Sequence, residues 1–214
     1  MNQAQGHRSL SPQLPADEAE PLQGVASQSL LAAAGSPLQS YSSPLLAAAG
    51  SGAKPSFRIY VDGHCSRHRV QAFQRAGWAV VVIDDNDQEV GRAWGAVPLP
   101  WPQTPYLAEW WAFLAAVQLA RGASTVITDC KGVMTVWGQP WATKTSPRCR
   151  AAGFCRFAAS FDSMQSIHDV RHMNSHRHVS AATSLLDRSD INHNGIVDQL
   201  AGEGGQLHGL DCKD

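Results

Sequence analysis

The stretch from Phe57 to Gly63 reads Phe-Arg-Ile-Tyr-Val-Asp-Gly, an apolar run that ends in an aspartate and a glycine. The run predicts a strand in the core of a sheet. A carboxylate at the end of a buried strand is costly unless a cation or a hydrogen-bond donor meets it. The glycine is expected to let the chain turn sharply and to let a substrate backbone approach closely. We therefore expect the fold and its site to be arranged around Asp62.

Three further acids lie at the boundaries of predicted core elements. Glu109 lies near the start of an apolar helix, Asp129 directly follows a second core strand, and Asp198 lies in the last predicted helix. Each acid alone is also typical of a strand end or of the first turn of a helix, where the helix dipole favours it. Four carboxylates that converge on one sheet edge instead indicate a site for divalent metal ions, which prefer oxygen ligands.

The order of predicted elements is three strands, a helix, a strand, two helices, a fifth strand and a last helix. This order predicts an α/β fold with a mixed sheet and helices on its faces. Thr104 and Pro105 are suited to begin the first helix, as N-cap and first helical residue. We expect a loop over 138–147, an irregular segment over 175–192 and a frayed end from residue 202. The strands are predicted at 59–62, 77–83, 89–97, 124–128 and 166–173, and the helices at 106–120, 131–137, 148–161 and 195–201.

The first 55 residues differ in composition from the rest of the chain. They are rich in Ser, Pro, Gln, Ala and Gly, and the heptapeptide Leu-Leu-Ala-Ala-Ala-Gly-Ser occurs at 30–36 and again at 45–51. Such a segment buries too little apolar area to offset the entropy of ordering it. We therefore predict a disordered N-terminal leader over 1–55, a folded domain over 56–210 and a frayed C-terminus over 211–214. In the alternative interpretation, the two repeats are short helices that dock on a partner.

Composition limits the partners and the compartment. The formal net charge is −1 with 43% hydrophobic residues, so any basic surface for nucleic acid has to be local. The five cysteines are an odd number without a framework spacing, which favours free thiols in a reducing compartment. The N-terminus lacks the pattern of a signal peptide, and no apolar run approaches the ~20 residues of a membrane span. We expect an intracellular protein with no membrane partner, in the cytoplasm or the nucleus.

Four short motifs occur in an order that resembles a known family. The first is Tyr-Val-Asp-Gly at 60–63, and the second is Ala108-Glu109 with alanines at 112 and 116. The third is Thr128-Asp129 with a valine at 133, and the last is Asn194 with Asp198 and an alanine at 201. Together, over residues 57–207, the chain resembles ribonuclease H of the type found alone or fused to retroelement reverse transcriptases. The resemblance implies a ribonuclease H-like fold, with a five-stranded mixed sheet flanked by helices.

The resemblance also implies a reaction and the groups that carry it. Asp62, Glu109, Asp129 and Asp198 would hold two Mg²⁺ ions, or Mn²⁺ in their place, and Asp62 would bridge them. The ions would activate water and stabilise the leaving 3′ oxygen while the RNA strand of an RNA–DNA hybrid is hydrolysed. The 2′-hydroxyls would distinguish RNA from DNA. The residues expected to contact the nucleic acid are Gly63, His64, Cys65, Arg67, Arg69 and Asn194.

A histidine near the end of the fifth strand is also implied, to help protons and product leave. His176 fits best, and His172 and His178 are its competitors. This assignment requires the segment 179–192 to loop out before the last helix. A reverse transcriptase, fused to the domain or beside it, is the further partner that the resemblance implies.

Other interpretations of the sequence remain open. The domain could be catalytically inactive and bind nucleic acid or pack against a polymerase, or it could be a nuclease or transposase-like relative that acts on DNA. It could also be an interaction module that acts through the repeated leader segments. Two alternative chemistries are a thiol nucleophile at Cys130 and a zinc site. The residues considered for zinc are Cys149, Cys155, His172 and His176.

Overall fold

The computed structural model describes residues 55–70, 73–175 and 177–209. Its five strands are β1 (Ser56–Cys65), β2 (Ala76–Ile83), β3 (Glu89–Ala96), β4 (Ala123–Thr128) and β5 (Ile167–His172). Its α-helices are α1 (Pro105–Leu119), α2 (Lys131–Trp137), α3 (Trp141–Lys144), α4 (Ala152–Ala158) and α5 (Leu185–Gln206). Short 3₁₀ helices span Asp162–Ser166, Val179–Ala181 and Leu207–Gly209. The predicted leader over 1–55 falls outside the described residues except for its last residue.

The strands form one mixed sheet in the order β3-β2-β1-β4-β5, so the first strand of the chain lies at its centre. β1 runs antiparallel to β2 and parallel to β4, and β5 runs parallel to β4. In this register Val61 lies beside Thr128. Since parallel strands end at the same edge of a sheet, the residues that follow Val61 and Thr128 are neighbours. The predicted α/β fold with a five-stranded mixed sheet is confirmed.

Helix α1 covers one face of the sheet and is buried almost all round, as its apolar sequence predicts. The Thr104 side chain accepts a hydrogen bond from the Leu107 N–H at 3.3 Å, and Pro105 is the first helical residue. The predicted helix start is therefore confirmed. Trp110 and Phe113 of α1 pack with Ile59 of β1 in the larger of two hydrophobic clusters. This packing fixes the position of the first turn of α1 against the sheet.

Helix α5 covers the opposite face and begins ten residues before the predicted start at Gly195. The hydroxyl of Ser184 accepts a hydrogen bond from the Asp187 N–H at 3.0 Å, and the Asp187 carboxylate accepts one from the Thr183 N–H at 2.8 Å. This pair of side-chain caps satisfies backbone donors that the first turn leaves unpaired. The expectation that 179–192 loops out is therefore wrong, because residues 185–192 form the first two turns of α5.

The C-terminal end of α5 lies against the sheet through glycines. A Cβ atom on Gly77 of β2 would lie 2.1 Å from the backbone nitrogen of Gly205, and one on Gly204 would lie 2.5 Å from the carbonyl oxygen of Gly95. Both glycines of α5 are buried. The expectation of a frayed end from residue 202 is therefore wrong for residues 202–206. These residues are helical, and close backbone contacts with β2 and β3 fix them against the sheet. The predicted frayed residues 211–214 are outside the described residues.

A buried carboxylate ties the N-terminal half of α5 to the sheet. Asp190 is 8% exposed. It accepts hydrogen bonds from the Tyr60 hydroxyl at 2.5 Å and from Arg171 Nη2 of β5 at 2.7 Å, and Arg58 Nη1 of β1 lies 3.5 Å away. A buried charge is tolerated where donors of opposite charge surround it. The network therefore joins α5 to the first and fifth strands.

Smaller differences between the predicted and the observed elements occur in the segment between β4 and β5. The predicted loop over 138–147 contains the short helix α3, and the helix predicted over 148–161 is limited to Ala152–Ala158. The backbone before α4 instead forms turns, in which Cys149 N–H donates to the Ser146 carbonyl at 2.9 Å. Among the described residues, no helix is long and apolar enough to cross a membrane.

Candidate metal centre

Three of the four predicted acids lie together at the carboxyl edge of β1 and β4. Asp62 is near the end of β1, Asp129 directly follows β4, and Glu109 lies one turn into α1. One carboxylate oxygen of each residue lies within 4.8 Å of those of the other two. The sheet register brings the two aspartates to the same edge, and the packing of α1 brings Glu109 above them.

The close approach of α1 to β1 depends on Gly63. A Cβ atom at this position would lie 2.2 Å from the Glu109 backbone nitrogen and 2.4 Å from the Ala108 carbonyl carbon. The chain does not turn sharply here, because β1 continues through Gly63 to Cys65. The expected turn is therefore wrong, and the glycine makes room for the helix that carries Glu109.

Burial and mutual repulsion raise the pKa values of two of these acids. Burial raises the pKa of Asp62 to about 7, and the negative charges of Asp129 and Asp198 raise it further. Burial, followed by the charges of Asp62 and Asp129, raises the pKa of Glu109 well above its ordinary value. A hydrogen bond to the Gly63 backbone acts in the opposite direction on both pKa values. The cluster is therefore costly to ionise fully without a cation.

The residues present fit a divalent metal ion. Glu109 Oε2 is buried and has no hydrogen-bond partner, which is unusual for a carboxylate oxygen. Three carboxylates supply the oxygen ligands that Mg²⁺ and Mn²⁺ prefer. Among the described residues, this is the one group of three or more potential metal-binding side chains. A bound cation would satisfy the unpaired oxygen and offset the repulsion.

Asp198 lies outside this cluster but within electrostatic range of Asp62. It is exposed on α5, one turn after Asn194. Asn194 is 7% exposed, and its Oδ1 has no hydrogen-bond partner. Both side chains line a small pocket with the segment that follows β5, including Met173 and Arg177. The fourth acid therefore faces the cluster from the opposite helix layer.

The candidate histidines are placed differently from one another. His176 lies outside the described residues. The His172 ring is at the end of β5, where its Nε2 lies 3.0 Å from the carbonyl oxygen of Asp129. His178 is exposed and precedes a 3₁₀ helix. Of the two described candidates, His172 is therefore the one that lies beside the third acid.

The residues predicted to contact nucleic acid surround the end of β1. His64, Arg67 and Arg69 are exposed, so they are accessible to a ligand. Cys65 is half-buried, and its thiol donates to the Gln103 carbonyl at a sulfur–oxygen distance of 3.6 Å. Asn194 is distant from these residues in sequence and lies on α5.

The alternative roles of the cysteines receive no support from their surroundings. Burial raises the pKa of the Cys130 thiol, which disfavours the thiolate that a nucleophile requires. Cys155 is buried in the larger hydrophobic cluster, and Cys149 packs against that cluster. His172, the other described candidate for zinc, is bonded to the backbone of Asp129 instead.

Sequence reasoning missed Arg177, which lines the same pocket as Asn194 and Asp198. Its guanidinium donates to both carboxylate oxygens of Asp187, at 2.5 and 2.9 Å. Asp187 belongs to the sequence Ser-Leu-Leu-Asp at 184–187, a capping pattern that marks the start of α5. The pairing of Arg177 with Asp187 depends on the path of the chain after β5, for which the sequence offers no signal.

The raised pKa values predict how stability depends on pH without metal. Between about pH 4 and pH 7 the folded protein keeps protons on Asp62 and Glu109 that the unfolded chain releases. The free energy of unfolding in chelator should therefore fall as the pH rises through this window. The measurement is urea unfolding in chelator at about pH 5 and about pH 8.

The Asp62→Asn variant is the control, because an amide cannot titrate. It should lose less stability than the wild type between the two pH values, and added Mg²⁺ should restore the wild type at the higher pH. Identical pH slopes for wild type and variant would contradict the raised pKa of Asp62.

No protein-family model matches the sequence, and no curated protein matches it either. Solved structures do match. The prototype foamy virus protease-reverse transcriptase is 18% identical, with a TM-score of 0.55, over 72% of this chain and 21% of that one. The solution structure of the PFV RNase H domain is 20% identical, with a TM-score of 0.54, over 72% of this chain and 96% of that one.

A third match is LC9-RNase H1, described as a type 1 RNase H with the type 2 active-site motif. It is 17% identical, with a TM-score of 0.52, over 72% of this chain and 73% of that one. The chain spans about a fifth of the foamy virus protease-reverse transcriptase. Its sheet order, its helices and these matches show that the chain has the ribonuclease H-like fold.

Proposed function

We propose that the domain is a metal-dependent endonuclease that hydrolyses the RNA strand of RNA–DNA hybrids. The observation that carries the proposal is the cluster of Asp62, Glu109 and Asp129, in which the three carboxylates lie within 4.8 Å and one buried oxygen is unpaired. Perturbed carboxylates at an open sheet edge are typical of catalytic sites. The ribonuclease H-like fold supports the choice of substrate class.

In the proposed reaction, water attacks the phosphorus atom and the P–O3′ bond breaks, leaving a 5′-phosphate and a protonated 3′-hydroxyl. Two Mg²⁺ ions, or Mn²⁺ in their place, would supply activation of the water and stabilisation of the leaving oxygen when bound. Asp62, Glu109, Asp129 and Asp198 would hold them. Burial of Asp62 and Glu109 strengthens the interaction of these two carboxylates with cations.

The surrounding residues would bind and orient the nucleic acid. His64, Arg67, Arg69 and Asn194 would contact its backbone or sugars, together with Gly63 and Cys65 through their main chain. A histidine would help protons leave, and we keep His176 as the proposed residue, with His172 and His178 as alternatives. A reverse transcriptase, fused or neighbouring, is the proposed partner, since one matching structure is a protease-reverse transcriptase.

The test is cleavage of an end-labelled RNA–DNA hybrid by the full chain, with Mg²⁺ and with chelator. We expect Mg²⁺-dependent fragments of the RNA strand only, with duplex DNA of the same sequence left intact. Cleavage of duplex DNA would instead support a DNA nuclease. Binding of the hybrid without cleavage by the folded protein would contradict the enzyme and support a nucleic-acid-binding domain.

A further inference from the structure

A second cleft lies beside the acidic cluster, on the α5 side of the sheet. Its volume is about 600 Å³. It is formed by the end of β1, the start of β2 and the C-terminal end of α5 with the 3₁₀ helix that follows. The residues that line it are His64, Ser66, Arg75, Gly202, Gly205, Gln206 and His208. None of these described residues is acidic, so this cleft differs in charge from the metal centre.

The cleft is continuous with the metal centre along β1. Side chains alternate along a strand, so Asp62 and His64 of β1 point to the same face of the sheet, and Ser66 directly follows the end of β1. Two residues of a strand span about 7 Å, which is roughly one nucleotide step along a backbone. A nucleic-acid strand that is bound with one phosphate at Asp62 would therefore place a neighbouring phosphate at the cleft.

The cleft is held in shape by hydrogen bonds. The Ser66 N–H donates to the Arg75 carbonyl, and the Arg75 N–H donates to the Ser66 hydroxyl oxygen, each at 2.8 Å. The His208 Nε2 lies 3.0 Å from the carbonyl oxygen of Ala76. These bonds fix two walls of the cleft against each other. The Ser66 hydroxyl, the His64 imidazole and the Arg75 guanidinium, whose Nη1 also donates to the Gln74 carbonyl at 2.9 Å, are donors of the kind that bind phosphate.

We propose that this cleft binds a backbone phosphate of the nucleic acid, one step from the phosphate at the metal centre. The proposal rests on the proposed function, since it assigns a subsite of that substrate. Gly202 lines the cleft, and a Cβ atom there would meet nothing within 4 Å. A side chain added at this position therefore enters the cleft without displacing other atoms.

The test compares Gly202→Glu with Gly202→Gln in the full chain. Both side chains have the same size and favour a helix more than glycine does, so both variants should fold. The glutamate places a negative charge in the cleft, whereas the glutamine does not. We expect the glutamate variant to bind an RNA–DNA hybrid about tenfold more weakly than the glutamine variant in chelator, because like charges repel.

The salt dependence of binding provides a second readout. Loss of one phosphate contact should reduce the slope of log K against log salt concentration by about 0.9. Arg75→Gln should reduce this slope in the same way. Equal affinities and equal slopes for the two Gly202 variants would overturn the proposal, as would a wild-type chain that does not bind the hybrid.

The two proposals fail in different ways. Suppose that Gly202→Glu weakens binding, Gly202→Gln does not, and the wild type shows no Mg²⁺-dependent cleavage. This result would support the phosphate subsite and overturn the proposed nuclease activity. Cleavage by the wild type with equal binding of both Gly202 variants would retain the nuclease and overturn the subsite.

Discussion

Replacing Asp62 with asparagine is expected to reduce Mg²⁺-dependent cleavage of an RNA–DNA hybrid by about 1,000-fold or more. Asp62 lies at the centre of the site, because Glu109, Asp129 and Asp198 all interact with it electrostatically. Metal ions contribute several kcal/mol of charge stabilisation, and each ~1.4 kcal/mol changes the rate about tenfold. The measurement is the initial rate of hybrid cleavage at saturating Mg²⁺.

Asp169→Asn is the matched control. Asp169 is an exposed acid on β5, where it lies beside Thr125 at the other end of the sheet pairing. The same change of charge at Asp169 should leave the rate of hybrid cleavage within about twofold of the wild-type rate. The Asp62 variant should also be no less stable than the wild type in chelator at about pH 8, because it removes a buried charge. Full activity of folded Asp62→Asn would contradict the assignment of the site.

The second large effect is expected from Gly63→Ala. The added Cβ atom would lie 2.2 Å from the Glu109 nitrogen and 2.7 Å from its Cα. Both atoms belong to the backbone of a buried helix, so the clash cannot be relieved by a side-chain rotation. We expect the free energy of unfolding to fall by about 4 kcal/mol or more, a large part of the total for a domain of this size. Denaturant unfolding measures this change.

Gly91→Ala is the control for the backbone effect of glycine. Gly91 lies on β3, and a Cβ atom there would meet nothing within 4 Å. Since glycine weakens a strand interior, alanine should be neutral or stabilising by about 0.5 kcal/mol. A Gly63→Ala variant as stable as Gly91→Ala would show that α1 can move away from β1. In that case activity should fall instead, because Glu109 moves with the helix.

Much of the architecture could be predicted from local patterns. The strands predicted from apolar runs and the start of α1 at Thr104 and Pro105 depend on residues close in sequence. These features are set by propensity and capping, which a single sequence displays. The convergence of Asp62 and Asp129 depends in addition on the parallel pairing of β1 with β4, which is a long-range contact.

The N-terminal half of α5 was not predicted, for a physical reason. Most of its residues are polar, and its position depends on a carboxylate, Asp190, that pairs with Tyr60 and Arg171 from distant strands. No periodicity in the sequence reports such long-range pairs. The capping pattern at 184–187 is the local signal for the helix start.

The role of Gly63 illustrates a different limit of sequence reasoning. A glycine after an aspartate favours a turn when only local conformation is considered. The structure uses the same residue to admit a helix backbone that is distant in sequence. The glycines of α5 likewise allow close backbone contact with Gly77 and Gly95, which lie far away in sequence. Close backbone contacts between distant elements cannot be inferred from one strand alone.

The central position of β1 has a consequence for synthesis on the ribosome. β1 emerges early, but its parallel neighbour β4 and the helix α5 follow much later in the chain. Until α5 emerges, the apolar face formed by Tyr60, Val81 and Ile127 has no cover. Nascent chains with such a face are prone to aggregate and to bind chaperones. Arrival of α5 buries that face and brings Asp198 to the sheet in one event, so completion of the core and placement of the fourth acid coincide.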